Sequence, residues 1–466
     1  MGSVLKESSH QSKQAVSLVQ GIKFKEKFGY GLGDFANNLV WSSLSMFILF
    51  FYTDVMGIAA GILGTIMLLV RIMDGALDIM MGVAVDRTKS KHGKARPWLL
   101  WMGVPFGIAT ILLFTIPDIS STGKVIYVAI TYVLINVIYT AINVPYGVLN
   151  SLITQDQYER SVVNIFRMFL STAGTLCVSL LVLPMIRMFG GGQAAWIYTF
   201  IIFGIVGALL FIITFSTTKE RVKPADSSQV KVNVPIKLGL KALFTNKYWI
   251  LVVTFLVITF IYLGVSGGAT IYFAQYIMGN SDFVGILSFA QNVPLLIGML
   301  VFAAPIIKRF GKRNATILGS VITIIGLGMM LINPANVTLI IIATIIKGIG
   351  GVPLGASMFA MLADTIEYGE WKSGVRTEGL IYSAGSFGLK VGIGLGTAIV
   401  GWVLAWGNYI GGAAAQSGSA IFSIKLSFII LPIVLTILQI ILLGFYKLDK
   451  EYPQIVRDLQ ERSMHS

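Results

Sequence analysis

Long apolar runs constrain this chain more than any other feature of its sequence. The run 194–217, for example, contains no charged residue over its whole length. About 20 apolar residues suffice to cross the hydrocarbon core of a bilayer. Lipid offers the backbone no hydrogen-bond partners, so runs of this kind must form helices. The sequence therefore predicts an all-α membrane protein.

Composition supports this prediction. The chain has 466 residues, of which 55% are hydrophobic and 12% are charged. Soluble domains carry about 25% charged residues. This composition excludes an ordinary soluble enzyme, a disordered protein and a coiled coil.

The apolar runs divide the chain into two similar parts. The predicted organisation is a cytoplasmic N-terminal segment (1–28), a six-helix bundle (29–217), a central loop (218–247), a second six-helix bundle (248–446) and a tail (447–466). The twelve spans are predicted near 29–52, 58–83, 97–117, 125–153, 161–187, 194–217, 248–273, 284–307, 314–333, 338–366, 377–406 and 419–446. Basic loops follow the second span of each part, DRTKSKHGKARP and KRFGKRN. This repetition predicts an internal duplication, the plan of major facilitator transporters.

The charge distribution orients the chain in the membrane. The formal net charge is +14, and the basic residues cluster in alternate loops and in the tail. Because cytoplasmic loops are rich in lysine and arginine, this pattern predicts that both termini are cytoplasmic. It also explains the basic charge without a nucleic-acid partner. We expect a multi-pass protein of the inner or plasma membrane.

The chain lacks the residues that several classes of enzymes and cofactor sites need. Cys177 is the only cysteine, and the three histidines (His10, His92 and His465) are scattered outside the spans. No intramolecular disulfide can form, and these histidines cannot build a metal site. The chain has no GxxxxGK[ST] loop for nucleotide hydrolysis. We therefore expect no catalytic residues and no cofactor other than a coupling cation.

Ionisable groups inside the spans are the candidate functional residues, because each costs about 2.5–3.5 kcal/mol at the bilayer centre. Arg71, Asp74 and Asp78 share one face of span 2. Two carboxylates one turn apart need a cation, a proton or a basic side chain between them. This arrangement is typical of a coupling-ion site. The alternative is a structural ion pair between Arg71 and Asp74, with Asp78 near the cytoplasmic edge.

Positive charges occur in later spans. Arg167 in span 5 and Lys390 in span 11 could neutralise the span 2 carboxylates or bind a substrate. Lys347 in span 10 has no predicted partner.

Polar and aromatic residues on spans 1 and 4 suggest a sugar pocket. Asn38, Trp41, Tyr139 and Asn143 supply amides, a hydroxyl and aromatic rings, which suit sugar hydroxyls and apolar sugar faces. Asparagine also forms hydrogen bonds between membrane helices, which is the alternative explanation.

Four motifs resemble the glycoside–pentoside–hexuronide:cation symporters, the family of the melibiose permease. They are FGYGLGDFANNLVW, RIMDGALDIMMGVAVDRTKSKHGKARPWLL, MLADTIEYGEWKSGVRTEGLIYSAGSFGLKVG and YKLDKEYPQIVRDL. The resemblance runs from about Phe28 to the C-terminus. It implies a twelve-helix major facilitator fold that moves a sugar together with H⁺, Na⁺ or Li⁺ by alternating access.

The resemblance also implies roles for individual residues. Asp74 and Asp78, with Thr140, match the cation site, where Na⁺ could bind. Lys390 matches a lysine that links the cation and sugar sites, and Arg167 matches an arginine at the sugar. Arg71 and Lys390 are the predicted coupling residues. The basic loops, with Asp86, Arg87 and Arg309, are expected to gate the cytoplasmic side.

Departures from the melibiose permease bear on the substrate. Asn38 and Asn143 replace sugar-binding aspartates, and Gly147 replaces a stacking tryptophan. Leu77 and Ile79 replace Asn and Pro beside the second aspartate, which gives proton coupling more weight. Fewer carboxylates beside Arg167 and Lys390 favour an anionic sugar such as a hexuronide, but a neutral pentoside or xyloside fits as well.

The predicted function is therefore cation-coupled sugar symport by a carrier that works as a monomer. The alternative is a major facilitator carrier of a lipid or drug-like amphiphile, which predicts a larger and more apolar cavity.

Overall fold

The computed structural model describes residues 21–154, 156–222, 236–374 and 378–465. Within these ranges every regular element is a helix. Most of the predicted N-terminal segment and the middle of the predicted central loop lie outside the described residues.

One N-terminal helix and eleven further apolar helices correspond to the predicted spans among the described residues. The first is α1 (Phe24–Ser43), which two π-helical turns extend to Val55. Eleven further helices are long and apolar enough to cross a membrane. They are α2 (Ala60–Arg87), α3 (Arg96–Phe114), α4 (Ser121–Ile153), α5 (Gln157–Met188), α6 (Gly192–Thr217), α7 (Lys247–Tyr276), α8 (Phe283–Val301), α9 (Ala303–Ile332), α10 (Val337–Ser373), α11 (Glu378–Trp406) and α12 (Gly418–Phe445). A short helix, Ile236–Thr245, precedes α7, and α13 (Leu448–His465) follows the last span. The predicted all-α fold with twelve spans is confirmed.

Polar side chains mark where several spans begin. Ser120, Asp156, Asn246, Asn336 and Ser417 each accept a hydrogen bond from the backbone N–H three residues further on. A helix leaves its first N–H groups without partners, so these caps fix the starts of α4, α5, α7, α10 and α12.

The predicted end of the eighth span was wrong. The sequence placed a span over 284–307, but α8 ends at Val301 and α9 starts at Ala303. The backbone of α9 leaves the helical conformation at Gly311, whose φ is 76°. Glycine adopts this left-handed conformation at little cost, so α9 bends there. Hydropathy alone does not reveal such a bend.

The chain packs as two compact units. Of the described residues, the first unit contains those up to Leu44 and those within Ala76–Gln229, and the second contains those within Ser45–Gly75 and Val230–Ser466. The units therefore differ from the two sequence halves in one segment, 45–75. The boundary between the units falls inside α2.

Hydrogen bonds explain why the segment 45–75 belongs to the second unit. The Asp54 carboxylate accepts hydrogen bonds from the Tyr409 hydroxyl at 2.7 and 2.8 Å and from the Gly412 N–H at 3.1 Å. The Tyr276 hydroxyl donates to the same carboxylate. Burial raises the pKa of Tyr409, so this hydroxyl keeps the proton that it donates.

Within the first unit α1 packs on α5 and α6, and α3 packs on α4 and α6. Where α3 meets α6, a Cβ atom at Gly204 would lie 2.8 Å from the Gly107 carbonyl oxygen. Small residues allow membrane helices to approach this closely. In the second unit α7 packs on α11, and α9 packs on α10.

Each unit closes its basic loop in the same way. In the first, Glu220 accepts hydrogen bonds from the backbone N–H groups of Lys94, Ala95 and Arg96 at 2.9–3.0 Å. In the second, Asp449 accepts one from the Arg313 N–H at 2.9 Å. Both acidic residues follow the sixth span of their half. This correspondence is what an internal duplication predicts.

Candidate functional site

Asp74 is the most deeply buried carboxylate among the predicted site residues. In the second unit its Oδ2 lies 3.0 Å from the Lys390 Nζ and 3.9 Å from an Arg71 guanidinium nitrogen. The exposed fractions are 0% for Asp74, 3% for Arg71 and 7% for Lys390. The structure thus brings three of the predicted residues together. It contains both the Arg71–Asp74 pair and the predicted partnership with Lys390.

Glycine in α11 makes room for this cluster. A Cβ atom at Gly394 would lie 2.4 Å from the Arg71 Cγ. Arg71 therefore lies against α11 one turn beyond Lys390, and any larger residue at this position would displace the guanidinium stem.

Asp78 and Thr140 belong to the first unit. Asp78 lies one turn after Asp74 in α2 and is half-buried, and Thr140 is buried in α4. Among the described residues, no group of three or more His, Cys, Asp or Glu side chains could hold a metal ion. The pairing of Asp74 with Asp78 at a cation therefore stays a prediction.

Arg167 has a carboxylate partner that the sequence analysis did not assign to it. Its Nε donates to the Asp34 Oδ2 at 3.0 Å, between α5 and α1. Its guanidinium also lies 5.3 Å from the centre of the Tyr146 ring, a cation–π distance. The expectation of surplus positive charge beside Arg167 was therefore wrong. Asp34, a carboxylate inside a predicted span, was the available signal.

A tyrosine pair supports the Asp34–Arg167 ion pair. The Tyr30 hydroxyl donates to the Tyr146 carbonyl at 3.1 Å, and the Tyr146 hydroxyl donates to the Tyr30 carbonyl at 2.7 Å. The two rings stack with their centres 4.5 Å apart. A Cβ atom at Gly33 would lie 2.6 Å from the Tyr146 ring, so this glycine lets α1 and α4 meet. Sequence reasoning missed the pair.

The predicted sugar-pocket residues separate into two groups. Trp41 and Tyr139 stack with ring centres 4.4 Å apart, so the structure brings them together. Asn38 instead joins helices: its Nδ2 donates to the Ser171 Oγ at 2.8 Å, and its Oδ1 accepts from the Thr175 hydroxyl at 3.3 Å. The alternative explanation for Asn38, a hydrogen bond between helices, is therefore the one observed. Asn143 is half-buried in α4.

The three gate residues are exposed in their own units. Asp86 pairs with Lys94 at 2.8 Å, Arg87 ends α2, and Arg309 lies over the Phe310 ring. Their role as a gate stays a prediction.

These arrangements define what each unit can do chemically. The first offers a guanidinium and aromatic faces, which suit sugar hydroxyls and rings. The second offers the buried Asp74 carboxylate, which forms an ion pair with Lys390. A proton or a metal cation competes with a lysine for such a carboxylate, because each neutralises the same charge.

Comparisons with known proteins place the chain in a family. Residues 29–450 match the model of the MFS/sugar transport protein family. The isoprimeverose transporter of Lactiplantibacillus pentosus is 36% identical over 95% of this chain and 92% of its own length. The putative glycoside/cation symporter YagG of Escherichia coli is 35% identical over 94% and 95%. The glucuronide carrier protein homolog of Escherichia coli is 29% identical over 95% and 97%.

Solved structures agree with the fold. The nucleoside transporter NupG superposes with a TM-score of 0.62 at 14% identity, over 91% of this chain and 100% of its own. A bacterial homolog of the human lysosomal transporter Spinster superposes with a TM-score of 0.61 at 12% identity, over 93% and 96%. With the relatives above, these similarities identify a carrier rather than an enzyme: the chain belongs to the MFS/sugar transport protein family.

Proposed function

We propose that this protein transports a glycoside together with a cation, H⁺ or Na⁺, by alternating access. The observation that carries the proposal is the buried Asp74 carboxylate, which Lys390 contacts at 3.0 Å. A buried charge in a membrane span is expensive, so its presence indicates a functional role. Relatives named as a glycoside/cation symporter and an isoprimeverose transporter support the same activity.

The coupling step follows from the Asp74–Lys390 pair. We propose that the cation binds at Asp74 and takes the place of Lys390 there, with Asp78, one turn further along α2, as the second carboxylate. Lys390 then becomes available to a sugar oxygen. Because each ligand favours the state that binds the other, the coupling is reciprocal. Arg71 stays beside Asp74 and continues to neutralise part of the carboxylate's charge.

We propose a neutral glycoside as the substrate class. Arg167 already has the Asp34 carboxylate at 3.0 Å, so the first unit does not need an anionic sugar to neutralise it. Trp41 and Tyr139 supply stacked rings for a sugar face. Isoprimeverose is therefore the first sugar to test. A glucuronide is the second, since a glucuronide carrier homolog is also a relative.

Membrane placement is part of the proposal. Basic residues concentrate in the loops that follow even-numbered spans and in the tail, which supports cytoplasmic termini in a cell membrane. We propose that the protein works there as a monomer, because each major facilitator chain carries both six-helix halves.

A counterflow assay in membrane vesicles tests the proposed function. Vesicles loaded with unlabelled isoprimeverose, a glucuronide or melibiose are diluted into the labelled sugar, with and without Na⁺, at two pH values. We expect isoprimeverose to give the largest overshoot, with a dependence on Na⁺ or on pH. Uptake of an amphiphilic drug or a lipid in place of every sugar would support the alternative carrier and contradict this proposal.

A further inference from the structure

Lys347 lies inside the second unit, away from the residues discussed above. It is 4% exposed and lies in the first third of α10. Its side chain lines a cavity of about 180 Å³ between α7, α8, α9, α10 and α12. The cavity wall is mostly apolar, and the polar side chains among the residues that line it include those of Thr259, Tyr262, Gln291, Ser320, Thr323 and Gln439.

The charge of Lys347 has no counterpart in this cavity. None of the described residues that line it is an aspartate or a glutamate. Among the described residues, the Lys347 Nζ lies over the face of Phe428, 5.6 Å from the ring centre. A buried charge without a partner is costly, and a cation–π contact of this length offsets only part of the cost. The missing element is a negative charge.

Hydroxyl groups complete the chemistry of an anion site. Ser320 and Thr323 are buried on one face of α9, three residues apart. Neither hydroxyl forms a hydrogen bond to another described residue, so both can donate into the cavity. A Cβ atom at Gly350 would lie 2.4 Å from the Thr323 Oγ1, so this hydroxyl lies against α10 about one turn after Lys347. An ammonium and two hydroxyls are suitable donors for a small anion.

Cavity size determines which anion fits. Pockets for drug-sized ligands enclose about 300–1,000 Å³, and this cavity of about 180 Å³ is smaller. A disaccharide is excluded on size. We propose that the cavity at Lys347 binds a small monovalent anion, such as chloride or a one- or two-carbon carboxylate. The site lies within one unit and is independent of the sugar and cation sites proposed above.

Equilibrium binding of radiolabelled chloride to the purified full-length protein in detergent tests this proposal. Wild-type protein should bind chloride saturably at about one site per chain. Unlabelled formate and nitrate should compete, whereas lactobionate, an anion of disaccharide size, should not. Lys347→Met should lose at least tenfold in affinity. Lys425→Met, which removes a charge from the same unit outside the cavity, should bind within twofold of wild type.

Two outcomes would overturn the proposal: no saturable chloride binding by the wild type, or equal binding by wild type and Lys347→Met. If Lys347→Met does not fold, Thr323→Val keeps the ammonium and should weaken chloride binding three- to tenfold. Unchanged affinity in a folded Thr323→Val protein would then contradict the assigned site. Competition by lactobionate as strong as by formate would also contradict it.

Discussion

Replacing Asp74 with asparagine removes a carboxylate that both Lys390 and Arg71 contact. At the observed separations of 3.0 and 3.9 Å, Coulomb's law with an effective dielectric constant of 20 gives gross attractions of about 5.5 and 4.3 kcal/mol. Removing one partner of a buried pair typically costs about 3–5 kcal/mol, because a buried charge loses its counterpart. We therefore expect Asp74→Asn to reduce the free energy of unfolding by about 3–5 kcal/mol.

Lys390→Met provides the internal comparison. It removes one of the two ion pairs and leaves Asp74 beside Arg71, so its cost should be smaller than that of Asp74→Asn. Denaturation by SDS in mixed micelles, followed by tryptophan fluorescence, measures both values. Asp118→Asn, which changes an exposed loop carboxylate, should have a free energy of unfolding within about 0.5 kcal/mol of the wild-type value. The account fails if Asp74→Asn is neutral or if Lys390→Met costs more.

Three further predictions concern packing, loop closure and sugar binding. Gly204→Ala should lower the free energy of unfolding by about 1–3 kcal/mol, because the added Cβ would lie 2.8 Å from a backbone oxygen. Gly207→Ala in the same helix should change it little, because no atom lies within 4 Å of the added Cβ. Equal melting temperatures of the two variants would contradict this prediction. Glu220→Gln weakens three hydrogen bonds from backbone N–H groups, and Asp449→Asn weakens one. Proteolysis of the first unit's basic loop in Glu220→Gln should therefore accelerate more than proteolysis of the second unit's basic loop in Asp449→Asn. The opposite order would disprove the role assigned to these two carboxylates. Arg167→Lys keeps the charge but loses the planar fork, so the KM for sugar uptake should rise about tenfold, and an unchanged KM would remove Arg167 from the sugar site.

The fold could be predicted from the sequence because bilayer physics leaves few alternatives. Apolar runs of about 20 residues must be helices, and their spacing defined twelve spans. The bend at Gly311 was missed because it depends on a single φ angle, which hydropathy does not encode. The packing of 45–75 in the second unit was missed as well. It depends on Asp54 contacting Tyr409, which is far away in sequence.

The site was only partly predictable for a related reason. Charges inside spans are rare, so Asp74, Lys390 and Arg167 could be selected as candidates from their positions alone. Their partners depend on how helices rotate about their axes, which a single sequence does not reveal. Arg167 was expected to have surplus charge, yet it pairs with Asp34. Asn38 was assigned to a sugar pocket, yet it joins α1 to α5.

The central claim is that sugar accumulation requires a cation at Asp74 and Asp78. The most direct test is uptake of labelled isoprimeverose by energised vesicles that contain the Asp74→Cys/Asp78→Cys double variant. Asp118→Cys is the matched control. We predict that wild type and the control concentrate the sugar above the external level when a Na⁺ or H⁺ gradient is imposed, and that the double variant does not. A folded double variant that concentrates the sugar as wild type does would contradict the claim.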